Sequence, residues 1–87
     1  MILRFIGALW CPSCLVMRPR YRHYCQEKGW TMEELDFDLE EATIAPWEIG
    51  GTLPVAIILD EQGQEQGRLV GEHRQDELQR RLGVFVK

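Results

Sequence analysis

The chain has 87 residues, 45% of them apolar and 28% charged, with a formal net charge of -4. That leaves room for one domain over residues 1–87 with one small core, and none for a large cleft beside a cofactor domain. The composition is globular rather than disordered, and the acidic balance offers no basic face for nucleic acid.

Met1 to Gly7 reads as a buried strand, because Ile2, Leu3, Phe5 and Ile6 form a nearly continuous apolar run. Pro12 to Lys28 reads as a helix. Val16, Met17, Tyr21, Tyr24 and Cys25 recur at helical spacing, and Gly29 is placed to stop it. Pro19 inside it removes one helical hydrogen bond and is expected to kink or divide the helix. Leu35 and Phe37 alternate with Glu34, Asp36 and Asp38, the pattern of a half-exposed edge strand.

Asp38 with Glu41 has the form of a capping box opening a short helix that Pro46 or Trp47 ends. Val55 to Leu59 is a solid branched apolar run, hence a strand covered on both faces. Asp60 to Gly63 supplies a turn, and Glu65 to Val70 is a weaker strand returning beside it. Gln75 to Leu82 is the last helix, with Asp76 and Glu77 early, Arg80 and Arg81 late, and Gly83 as its stop. Its core contacts are few: Leu78 and Leu82, then Val84, Phe85 and Val86 in the tail. The order is strand, helix, strand, helix, strand, strand, helix, which implies an α/β fold with a mixed sheet covered by helices.

No basic leader precedes an apolar stretch, and no run is long enough for a membrane span. The expectation is a cytoplasmic protein without a membrane partner. Three cysteines agree with that, since an odd count outside the cell leaves a spare thiol. Arg18, Arg20 and Arg22 are read as a solvated helix face.

The chemistry concentrates in Cys11-Pro12-Ser13-Cys14, at the junction of the first strand and first helix. With Cys11 as N-cap, Pro12 falls at the first helical position, where its missing N–H costs nothing. The free amides that follow point at the Cys11 sulfur, and the helix end adds partial positive charge. Both favour thiolate over thiol, so Cys11 is the expected nucleophile. Cys14, three residues on, lies beside it with the reach to close a disulfide. Cys11 can then attack a substrate disulfide, and Cys14 can resolve the mixed disulfide.

The segment from Trp10 through Pro19 resembles the active-site stretch of thioredoxins, where Trp precedes the pair and a proline follows the second cysteine by five. Thr52-Leu53-Pro54 resembles the family's cis-proline element, and Val70-Gly71 its Val-Gly before the last helix. The resemblance covers essentially the whole chain, at a size nearer that of glutaredoxins. It implies a thioredoxin-like α/β fold, with a four-stranded mixed sheet in the order second, first, third, fourth strand. About three helices would lie on both faces.

The resemblance also implies a thiol–disulfide oxidoreductase, an enzyme with Cys11 and Cys14 catalytic. Trp10, Pro12, Ser13, Leu53 and Pro54 would meet substrate, and Leu53-Pro54 would be cis. Its partners would be protein disulfides and a reductase or glutathione. It would work as a monomer with no cofactor beyond a redox-active Cys11–Cys14 disulfide. Two departures stand out. Thioredoxins carry a buried acid in the strand behind the pair, where this chain has Arg4 with Phe5 and Ile6. Glutaredoxins carry Gly-Gly-x-x-Asp after the last strand, where this chain has Gly71-Glu72-His73-Arg74-Gln75-Asp76.

Other readings stay open on sequence. A zinc module could draw on Cys11, Cys14, His23 and Cys25, although helical geometry over Pro12–Lys28 would keep the four apart. A copper-carrier module would want another element order and a Met where Leu9 stands. A redox-sensing adaptor with the same fold and no turnover fits as well. Cys25 is read as a buried structural thiol, His23 and His73 as surface residues, Trp30 and Trp47 as packing.

Overall fold

A computed structural model describes residues 1–85. Strand β1 (Ile2–Gly7) leads into α1 (Pro12–Lys28), then β2 (Thr31–Asp36) and a short α2 (Glu41–Ile44) that continues as a 3-10 turn (Ala45–Trp47). The hairpin β3 (Val55–Leu59) and β4 (Glu65–Val70) and the helix α3 (Gln75–Gly83) complete it. The sheet order is β2-β1-β3-β4, with β1 parallel to β2 and the other pairs antiparallel. It is the expected mixed α/β sheet.

Alternation along β1 separates the two faces of the sheet. Phe5 meets Tyr21 of α1 at 5.7 Å between ring centres, while Arg4, one residue earlier, stacks on Trp47 at 5.2 Å. Hence α1 covers one face and the α2 segment the other. Phe85, just beyond α3, lies over Gly67 of β4, on the row that Leu3 and Ile58 share and so on the α1 face. Every residue of β3 is buried, as a central strand with helices on both sides requires. The α2 side is also fastened by Arg68, whose guanidinium donates to the Trp47 carbonyl at 3.1 Å and pairs with Glu65.

Several expectations change. The second strand starts at Thr31 rather than near Glu34, because pairing with β1 begins at Ile2–Thr31. It also ends before Phe37, whose amide donates to Gly7. The Asp38–Glu41 capping box does not form. Asp36 Oδ1 accepts from the amides of Asp38 and Leu39, and the Glu40 carboxylate reaches back to the Asp36 amide. The local competition between side chain and backbone is won two residues earlier, and α2 begins at Glu41 with no side-chain cap.

Pro19 does not divide α1, which runs unbroken to its left-handed cap at Gly29. The carbonyl that Pro19 leaves without a donor belongs to Leu15; both residues are exposed, so water can serve it. Gly83 is the last residue of α3 rather than its stop. Leu78 and Leu82 are fully buried, Val84 is exposed, and Val86 lies outside the described residues. No helix among those residues is long and apolar enough to cross a membrane.

Candidate active site

Cys11 is the N-cap of α1, with extended backbone angles of φ -97 and ψ 109, and Pro12 occupies the first turn. Its sulfur accepts from the Cys14 amide at 3.3 Å. On its other side the thiol lies 3.8 Å from the Leu53 carbonyl, which can accept its hydrogen. The Leu53–Pro54 bond is cis, as the resemblance implied. The Pro54 carbonyl is tied to the Gly71 amide at 2.8 Å, so the loop before β3 is anchored beyond the end of β4. All three cysteines are free thiols.

Cys14 is completely buried and Cys11 nearly so. The room for Cys14 comes from Gly7: a β-carbon there would stand 3.1 Å from the Cys14 sulfur and 2.9 Å from the edge of the Phe5 ring. Burial, with the adjacent Cys11 sulfur, pushes the Cys14 thiol up to about 11; a backbone hydrogen bond at Ala8 and the charge of Arg18 oppose this in part. Burial alone raises Cys25 to about 11. About 16 Å of helix separate it from Cys14, beyond disulfide reach.

Trp10 is mostly exposed beside the pair, and its indole N–H donates to Asp38 Oδ2 at 2.7 Å. Pro12 is exposed and Ser13 partly so; Leu53 and Pro54 are buried, Leu53 with its carbonyl beside the Cys11 thiol. The structure thus brings Cys11, Cys14, Leu53 and Pro54 together, with Trp10, Pro12 and Ser13 on the open side.

A family model described as Thioredoxin matches residues 1–83. The chain belongs to the thioredoxin family.

Among solved structures, a mutant thioredoxin from Halobacterium salinarum superposes with a TM-score of 0.86 at 19% identity, covering 99% of this chain and 74% of that one. A reduced thioredoxin pre-protein from Schistosoma mansoni gives 0.83 at 20% identity, covering 98% and 78%. Mitochondrial Thioredoxin 3 from Saccharomyces cerevisiae, in its oxidized form, gives 0.81 at 19%, covering 95% and 76%. No curated protein sequence matches the chain. Membership in the family supports thiol–disulfide oxidoreductase chemistry in general.

Some residues take places that the sequence reading did not give them. Asp38, read as a helix cap, holds Trp10 instead. Arg18 and Arg20, read as solvated, turn inward: Arg18 pairs with Glu34 at 2.7 Å and Arg20 donates to the His73 carbonyl. Only the spacing of Arg18 four residues after Cys14 could have signalled its place. His73 is not a surface side chain. In the segment leading into α3 its backbone amide donates to Met17 Sδ at 3.3 Å, and its ring bonds to Glu77 at 2.6 Å.

His23 does face solvent, beside Glu27. The four residues of the zinc reading do not converge, since His23 points away and Cys25 lies far down α1. Among the described residues no group of three metal-ligating side chains gathers.

Proposed function

We propose that this chain is a thiol–disulfide oxidoreductase that turns over through Cys11 as nucleophile and Cys14 as resolving thiol. The observation that carries this reading is the Cys11 sulfur at the start of α1, bonded to the Cys14 amide and facing the cis Leu53–Pro54 segment. An amide donor and a positive helix end favour an anion at that place. Cys11 thiolate attacks one sulfur of a substrate disulfide, that bond breaks, and the other substrate sulfur leaves as thiolate. Cys14 then loses its proton to water and attacks the Cys11 sulfur. The Cys11–Cys14 disulfide forms, the second substrate thiolate departs, and the substrate has gained two electrons.

The substrates under this reading are protein disulfides. Exposed Trp10, Pro12 and Ser13 would form one wall of the contact. The backbone at Leu53, beside Pro54, would pair with an extended segment, which gives affinity with little sequence preference. A reductase or glutathione would restore the dithiol in the cytoplasm, with the protein acting as a monomer and without a further cofactor.

Reduction of insulin disulfides tests the reading. The wild type should catalyse it, Cys11→Ser should abolish it, and Cys14→Ser should accumulate mixed disulfides that nothing resolves. A wild type without turnover would instead fit an adaptor of the same fold.

A further inference from the structure

The resolving step asks a buried thiol to lose a proton. No carboxylate among the described residues is buried, so none stands behind Cys14 to help. The charge that does approach it is Arg18. This residue lies one helical turn after Cys14, and helix side chains lean toward the N-terminus, so Arg18 reaches back over the turn that holds the cysteine.

Arg18 is fixed from two sides. Its Nε lies 2.7 Å from Glu34 Oε1, and its guanidinium sits 5.4 Å from the centre of the Phe5 ring. Phe5 pairs with Glu34 across β1 and β2, so ring and carboxylate share one row of the sheet. The edge of the same ring and the Cys14 sulfur both lie about 3 Å from the point where a β-carbon on Gly7 would stand. Resting on the reading above, we propose that Arg18 is the positioning residue of the resolving step, held by Glu34 and Phe5 so that its charge stabilises the Cys14 thiolate as it forms.

The other charged or titratable neighbours are few. Cys11 adjoins Cys14 at the helix start. Glu34 of β2 lies behind Arg18 and is shared with Arg22 at 3.3 Å. From the α3 side come His73, bonded to Glu77, and Arg20, both packed on Met17. Phe5 and Gly7 of β1, Ala56 of β3, and Leu53 and Pro54 carry no charge. The direction of the effect agrees with the geometry: Arg18 pulls the Cys14 thiol down, against the burial that raises it.

Removing the charge should cost about one unit of Cys14 acidity, the low end for an opposite charge beside a buried group. That means about tenfold less thiolate but about threefold greater nucleophilicity, hence a net loss of about threefold in rate at neutral pH. The two-step reaction of the reduced protein with Ellman's reagent reads this directly. Cys11 releases one thionitrobenzoate as it forms a mixed disulfide; Cys14 releases the second as it closes the ring.

Arg18→Gln should leave the first phase unchanged, slow the second about threefold, and displace its pH profile upward by about one unit. Arg18→Lys should recover most of the loss. Glu34→Gln cuts the same ion pair but keeps the positive charge, so it should not displace the profile upward. An unchanged second phase in Arg18→Gln would overturn the proposal and leave the oxidoreductase reading standing. So would equal slowing by Arg18→Gln and Glu34→Gln at every pH. A second phase missing from the wild type, or surviving in Cys14→Ser, would remove both.

Discussion

Gly7→Ala probes the packing that lets the resolving cysteine sit behind the nucleophile. The new β-carbon would stand 2.9 Å from Phe5 Cε1, 3.1 Å from Cys14 Sγ and 3.3 Å from Cys14 Cβ. Neither neighbour is a free chain end: Phe5 is 1% exposed and Cys14 is 0%. Gly7 has no positive φ, so alanine meets no backbone strain there and gains about 0.5–1 kcal/mol from a stiffer unfolded chain. Overpacking a filled core costs about 1–3 kcal/mol. A contact as short as 2.9 Å puts the cost in the upper half of that range, so the net is a destabilisation of about 1–2.5 kcal/mol, which lowers Tm by roughly 4–20 °C in a chain of this size.

Thermal unfolding of the reduced protein, followed by circular dichroism, measures that loss. The displaced Cys14 sulfur should also slow ring closure onto Cys11, because intramolecular attack depends steeply on alignment. A Gly7→Ala protein as stable as the wild type, or more so, would refute the claim that this gap is what admits Cys14.

Three further outcomes follow from the same structure. Cys14 and Cys25 are raised from an ordinary value near 9 to about 11. The folded state therefore holds their protons more tightly than the unfolded state, and stability intact below pH 9 should fall between about pH 9 and 11. Each thiol contributes a slope of at most about 1.4 kcal/mol per pH unit. Buried Tyr21 and Tyr24, also raised, extend the fall upward, and urea unfolding across that range checks it. Gly67→Ala would place a β-carbon 2.7 Å from the Phe85 ring. That ring is half-buried near the end of the described chain and can give way, so the expected loss in thermal unfolding is smaller, below about 1 kcal/mol. Arg4→Met keeps the packed stem but loses the Trp47 stacking and the Glu33 pair. It should cost about 1 kcal/mol in urea unfolding and leave Cys11 reactivity unchanged, because Arg4 faces the other side of the sheet.

What the sequence made legible was what depends on local pattern. The first helix could be read to its end residues, because Pro12 and Gly29 mark both of them in local chemistry. The all-apolar run Val55–Leu59 identified the central strand for the same reason. The cis Leu53–Pro54 bond was legible only through family resemblance, since nothing local distinguishes it from an ordinary proline at a strand start.

The misses share one cause: partners distant in sequence. Asp38 has the look of a helix cap until Trp10 is placed 28 residues away within reach of it. The start of the second strand is set by pairing with Ile2 rather than by its own alternation. Arg18 passes for surface until Glu34 of β2 and Phe5 of β1 are brought to it.

The most direct test of the account is the alkylation rate of each thiol in the reduced protein, mapped by mass spectrometry with iodoacetamide across a pH series. Cys11 should be modified first at neutral pH, with Cys14 and Cys25 trailing until the pH nears 11. Labelling of Cys14 or Cys25 as fast as Cys11 would contradict the assignment of Cys11 as nucleophile.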